Sequence, residues 1–259
     1  MSGLHVESTG EGPPLVLLHG WAMHGGLFAP LVPALARRYR VSVVDLPGHG
    51  HSRSLTPYTL DAIVATVAAQ FPGPAGRVSI LGWSFGGTVA LRWAHLSPER
   101  VERLVLVCAT PRFVATGDWP RAMARVTLDQ FGDELKAAYR LTLHRFLSLQ
   151  VQGSEEGRAT LAALRGQLFA RGEPAPETLA AALSLLAATD LRDDARAIST
   201  PTLVVTGERD TLTPPSAGAW LAQAMGAARH VDIAGAGHAP FLSHRAAFDA
   251  AVDEFLDAR

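Results

Sequence analysis

Short apolar runs and longer amphipathic ones alternate along most of this 259-residue chain. "LHVEST" (4–9), "PLVLLHG" (14–20), "YRVSVVDLPG" (39–48), "RVSILGWS" (77–84) and "VERLVLVCAT" (101–110) are brief Val/Ile/Leu runs closed by Gly, Pro or a polar turn. Such runs read as strands buried on both faces. Between them "LFAPLVPALARR" (27–38), "TLDAIVATVAAQF" (59–71) and "FGGTVALRWAHLS" (85–97) carry helical apolar spacing. The alternation predicts an α/β fold, a mostly parallel sheet with helices on both faces.

The rhythm breaks after Pro111. Residues 112–190 hold no convincing strand but three amphipathic stretches, at 133–150, 154–172 and 176–189. Ser154, followed by Glu155 and Glu156, reads as a helix start with a cap and acids in the first turn. Strand character returns at "TPTLVVTGERD" (200–210) and "ARHVDIAGAGH" (228–238), and "AAFDAAVDEFLDA" closes the chain as a helix. The expected organisation is a core of residues 1–111 and 191–259, interrupted by a helical cap over 112–190.

Composition narrows the function classes. Apolar residues make up 48% and charged residues 18%, ordinary for a soluble globular chain. A formal net charge of −1 gives no bulk attraction to nucleic acid or an anionic membrane. Cys108 is the only cysteine, so no intrachain disulfide forms; inside "RLVLVCAT" it reads as a small buried hydrophobe. The N-terminus lacks a basic segment followed by an apolar one, and no apolar run approaches the ~20 residues of a membrane span. The expectation is a cytoplasmic protein, monomeric, without nucleic-acid or membrane partners.

"LGWSFGG" (81–87) sets Ser84 between Gly82 and Gly86. A G-x-S-x-G pattern arises by chance in roughly one chain in ten of this length, so its context must decide. Here it ends a predicted strand and opens a predicted helix, the setting of a strained nucleophile elbow. A serine hydroxyl needs a base, and the base an orienting acid; with this elbow they follow in the order Ser, acid, His. Asp210 ends the strand of "LVVTGERD", and His238 lies in a glycine loop after the last strand. Glu208 is the rival acid but sits nearer the strand, and Asp190, Asp193 and Asp194 fall in the linker before it. His230 precedes the last strand and His244 follows on a helix. His49 and His51 in "PGHGHS" lack a third ligand in view, so they read as loop-lining residues and no metal is expected. The N–H groups of Phe85, directly after Ser84, and of Trp21 in "LLHGWAM" are the candidate oxyanion donors.

Together "LLHGWAM", "VVDLPGHGHS", "LGWSFGG", "GERD" and "GAGHAPF" resemble the α/β-hydrolase superfamily over the whole chain. A narrower likeness lies in the Trp after "HG", the "GWS" elbow, "RFLSLQ" (145–150) and "GHAPFLSH" (237–244). These are similar to the pimeloyl-[acyl-carrier protein] methyl ester esterases of biotin synthesis. That resemblance implies a cofactor-free serine carboxylesterase in which Trp21, Ser84, Phe85 and His238 touch the ester. It also implies that Phe146, Leu147, Ser148, Leu149 and Gln150 line the acyl channel. By spacing alone, Phe146, Leu147 and Leu149 equally fit the buried face of a cap helix. The family docks an acidic carrier protein on cap arginines. Arg145 and Arg158 stand where such arginines are expected, and Arg165 shares a helical face with Arg158. Arg140 is a weaker candidate, and one family arginine position holds Leu141. The same triad would also serve a general esterase, an enol-lactonase, a carbon–carbon bond hydrolase or a perhydrolase; a non-catalytic ligand receptor would not need the oxyanion loop.

Overall fold

The computed structural model describes residues 3–72 and 77–258. Among these residues seven strands form one sheet: β1 (Val6–Thr9), β2 (Pro14–Leu18), β3 (Arg40–Val44), β4 (Val78–Trp83), β5 (Val101–Val107), β6 (Thr202–Gly207) and β7 (Ala228–Ile233). Their order is β1-β3-β2-β4-β5-β6-β7. Only β1 runs antiparallel, pairing Val6 with Val44; every other neighbour is parallel. The sequence pattern follows this order. Central β4 and β6 are buried throughout, whereas edge strands β1 and β7 keep exposed polar positions.

The helices are α1 (Val32–Leu35), α2 (Leu60–Ala68), α3 (Phe85–Leu96), α4 (Arg125–Ala137), α5 (Tyr139–Gln150), α6 (Gly157–Gln167), α7 (Pro176–Ala188), α8 (Arg192–Ala197), α9 (Pro215–Ala224), α10 (Pro240–Ser243) and α11 (Arg245–Asp257). α3 packs on β4 and β5, α9 and α11 on β6 and β7. Among the described residues five helices lie between β5 and β6, and the first four, α4–α7, pack mainly on one another. The two ends of that excursion are stitched together: Leu191 N–H donates to Pro111 O (2.8 Å), and Arg112 pairs with Asp190 (2.7 Å). Among the described residues, no helix is long and apolar enough to cross a membrane.

Three local expectations are corrected. The stretch 27–38 is not one helix but a 3-10 turn (Gly25–Phe28) and the four-residue α1. Pro30 and Pro33 lie within it, and each lacks the N–H an unbroken helix needs. The stretch 133–150 is two helices, parted at Ala138 (φ −146°, ψ 59°). Ser154 does not cap α6: the cap position is Glu156, and Ser154 Oγ is buried without a hydrogen-bond partner among the described residues.

Candidate active site

The parallel strands end on one edge of the sheet, and the loops leaving β2, β4, β6 and β7 carry Trp21, Ser84, Asp210 and His238. Ser84 turns from β4 into α3 with φ 54° and ψ −116°, a backbone that L-residues seldom adopt. Its N–H donates to Val107 O on β5 (2.9 Å), fixing the elbow from below. The flanking residues must be glycine because the chain doubles back within contact distance. A methyl on Gly82 would stand 2.4 Å from Gly86 O, and one on Gly86 would stand 2.1 Å from Leu18 O.

The turn leaves the Phe85 amide at the first position of a twelve-residue helix, where no helical acceptor exists. The loop after β2 presses on the same elbow, since a methyl on Gly20 would lie 3.3 Å from Ser84 Cβ. His19 braces that loop: its ring Nδ1 donates to Gly20 O (2.8 Å), and its Nε2 accepts from Leu46 N–H (2.9 Å). Burial drives the His19 pKa down to about 3, helped by neighbouring His49, so the ring is neutral and holds this one tautomer. Neither the Trp21 nor the Phe85 N–H meets a backbone acceptor among the described residues.

Asp210 and His238 meet directly. His238 Nδ1 donates to Asp210 Oδ2 at 2.7 Å, with both side chains buried. Asp210 Oδ1 accepts the Leu212 and Thr213 amides (2.9 and 3.0 Å), and Thr213 Oγ1 donates to Oδ2 (2.7 Å). Burial alone pushes the Asp210 carboxyl up, but His238 and the Thr213 hydrogen bonds outweigh it, and its pKa lies below the usual value. The rival Glu208 faces elsewhere, accepting the Gly235 amide (2.8 Å) and so holding the histidine loop. Asp190 pairs with Arg112 and Arg192, Asp193 with Arg196, and Asp194 with Arg92.

Trp21, Ser84, Phe85, Thr213 and His238 line a largely apolar cavity of about 60 Å³. Its other wall comes from the α4–α7 region: Met123, Leu128, Phe131, Phe146, Leu149, Leu183 and Leu186. Of the five residues of α5 implied for the acyl channel, Phe146 and Leu149 line this cavity, while Leu147, Ser148 and Gln150 do not. Leu147 is fully buried, Ser148 Oγ donates to His144 O (3.2 Å), and the Gln150 side chain is buried with neither amide atom partnered among the described residues. Gln150 meets the site through its backbone, its carbonyl accepting the His238 N–H (2.9 Å). Arg145, Arg158 and Arg165 are exposed, and none of them lines the cavity.

Sequence reasoning passed over Thr213 and the walls from α4 and α7. Thr213 carried one usable signal, a hydroxyl three residues beyond the acid, the spacing of side-chain-to-backbone turns. The orientation of the α4 and α7 faces follows from packing and had none. As for metals, the one group of three potential ligands among the described residues is Cys108, Asp210 and His238, with atoms within 4.8 Å. His238 and Asp210 there are already bonded to each other, and burial followed by the Asp210 charge holds the Cys108 thiol well above its usual pKa. His49 joins no such group; its ring lies 5.3 Å from that of His19.

A doubly braced elbow at the carboxyl ends of a parallel sheet is the architecture of an α/β hydrolase. Residues 13–245 match the alpha/beta hydrolase fold family, and the chain belongs to it. It is 46% identical to the pimeloyl-[acyl-carrier protein] methyl ester esterase of Nitrosomonas europaea, over 94% of this chain and 95% of that one. With the enzyme of the same description from Xanthomonas oryzae pv. oryzae the identity is 49%, over 98% of each chain. Among solved structures, a bromoperoxidase from Bacillus anthracis superposes with a TM-score of 0.88 over 98% of this chain and 95% of that one. At 23% identity that likeness speaks for the fold alone.

Proposed function

We propose that this chain is a serine carboxylesterase that hydrolyses the methyl ester of a pimeloyl group carried on acyl-carrier protein, as its relatives' names describe. The observation that carries the chemistry is His238, bonded to Asp210 at 2.7 Å, lining one cavity with Ser84 on its elbow. The full-length identity to the methyl ester esterases supports the substrate.

Ser84 Oγ attacks the ester carbonyl while His238 takes its proton through the ring nitrogen not bonded to Asp210. The Trp21 and Phe85 amides donate to the tetrahedral oxyanion, each worth roughly 10²–10³ in rate. His238 returns the proton to the departing methoxide, releasing methanol and leaving the acyl group on Ser84. Water, deprotonated by His238, then attacks the acyl-enzyme, and His238 passes that proton to the departing Ser84 Oγ as the free acid product leaves. Residues 112–190 act as the cap over the core of 1–111 and 191–259, and Phe146 and Leu149 line the acyl path.

The carrier docks on the cap through Arg145, Arg158 and Arg165. Arg158 and Arg165 make no ion pair among the described residues, and Arg145 has only Glu134 at 3.6 Å. Arg140, by contrast, is engaged by Glu173 (3.0 and 2.7 Å). Ser84→Ala should abolish hydrolysis of p-nitrophenyl esters and labelling by a fluorophosphonate; retained labelling refutes the nucleophile. The wild-type gene should restore growth to a biotin-requiring strain lacking its own methyl esterase. Failure there, with good activity on simple esters, refutes the substrate. Reversing Arg158 and Arg165 to Glu should lower kcat/KM for the carrier-bound ester and leave p-nitrophenyl esters untouched.

A further inference from the structure

Trp83, directly before the proposed nucleophile, takes no part in the steps above, yet it touches two of the loops that do. It is buried to 1% exposure. Its indole N–H donates to the backbone carbonyl of His238 at 2.7 Å, and the two rings lie 5.5 Å apart. A methyl on Gly20 would stand 3.0 Å from its six-membered ring, so the oxyanion loop rests on the same indole.

His238 needs outside support. It follows Gly237, and Gly235 just before takes φ +73°, so the loop has little stiffness of its own. Two hydrogen bonds hold the histidine's peptide groups: its N–H goes to Gln150 O at the end of α5, and its C=O receives the Trp83 indole. We infer that Trp83 is a positioning residue for His238, its indole N–H fixing the carbonyl side of the base while α5 fixes the amide side. The function rests on the donor and not only on ring volume. A merely packed indole can go without a partner in this fold, as Trp93 does: its N–H is buried and unpartnered among the described residues. Trp83 instead directs its donor to the backbone of the one residue that must stay in register with Ser84.

This inference rests on the Ser84–His238–Asp210 reading. Its test replaces Trp83 by 3-benzothienylalanine, which has sulfur for the N–H and nearly the same shape, and by 4-fluorotryptophan, which keeps the N–H. Hydrolysis of p-nitrophenyl butyrate is followed between about pH 5 and 9, with the downfield His238 Nδ1 proton observed by NMR. The benzothienyl protein should lose about 10²-fold in kcat with KM little changed, and its downfield proton should shift or broaden. The fluorotryptophan protein should match the unmodified enzyme in both. Trp83→Phe, which also lacks the donor, should reproduce the loss of kcat. Unmodified kcat in the benzothienyl protein overturns the inference, as does a loss of kcat with the proton resonance unmoved. Ser84→Ala run alongside separates the two claims. If that variant still turns over, the triad reading fails; if it is inactive and the benzothienyl protein is fully active, only the role of Trp83 fails.

Discussion

Asp210→Asn changes one atom in the site. Asp210 Oδ1 accepts two buried backbone amides, and Oδ2 accepts His238 Nδ1–H and the Thr213 hydroxyl. Asparagine can keep only one of these sides. Turning its NH₂ toward Leu212 and Thr213 would set donors against donors, at about 1–3 kcal/mol for each stranded amide. The favoured orientation keeps the oxygen there and points the NH₂ at His238. His238 must then accept at Nδ1 and carry its proton on the other nitrogen, the one that should receive the proton of Ser84. The expected loss in kcat is about 10⁴-fold, equivalent to about 5 kcal/mol of transition-state stabilisation. KM should hold, because no wall of the cavity changes. The assay is steady-state hydrolysis of p-nitrophenyl butyrate beside urea unfolding. Because the folded-state pKa of Asp210 is depressed, its charge contributes stability above the ordinary carboxylate pKa, and this is lost as pH falls through the lower folded value. Asp210→Asn should therefore be less stable than the parent at neutral pH, with the gap narrowing in acid. A kcat within about tenfold of the parent would refute Asp210 as the orienting group.

Gly86→Ala puts a methyl 2.1 Å from Leu18 O and 2.7 Å from His19 O, both backbone, so it should cost about 3 kcal/mol or more in urea unfolding; parental stability counts against the elbow packing. His49 is buried with its pKa lowered from 6.5 to about 4, first by burial, so it favours the folded state fully above about pH 6.5 and loses that effect as pH falls toward 4. His49→Gln should flatten the loss of stability between pH 7 and 5; equal losses in parent and variant refute this. Phe146→Ala removes a ring 5.0 Å from that of Trp21 and should raise KM for medium-chain esters about tenfold with a smaller change in kcat, and an unchanged KM would remove Phe146 from the acyl path.

The sheet was legible because each buried strand is a short apolar run with a breaker at its end, a local signal needing no partner. The helix breaks were not all of that kind. Pro30 and Pro33 mark the interruption after residue 28 openly, but Ala138 parts α4 from α5 within an Ala-Ala pair that no propensity distinguishes. The candidate reacting groups were named from order and spacing, since the elbow restricts where its partners stand, and two of them, Asp210 and His238, are bonded in the fold. Position already favoured Asp210 over Glu208, which sits nearer the strand, and geometry adds what each does: one bonds a histidine and the other bonds Gly235. Trp83 is the extreme case, for its acceptor lies 155 residues away along the chain.

The proposed base and oxyanion donor are mechanically joined to the helices that wall the cavity. The His238 amide is held by Gln150 O at the end of α5, and the Trp21 indole N–H by Leu179 O on α7 (3.1 Å). Two further bonds tie the α5–α6 turn to the loops after β6 and β7: Arg209 donates to Gly153 O (2.9 Å), and the Glu155 amide to Gly235 O (3.2 Å). A displacement of α5 or α7 therefore reaches the base and the residue proposed as oxyanion donor before it reaches any substrate. It follows that substitutions on these helices, even where they only reshape the apolar wall, should register in kcat as well as KM. An effect on kcat from that region is no sign that the altered side chain touches the reacting atoms.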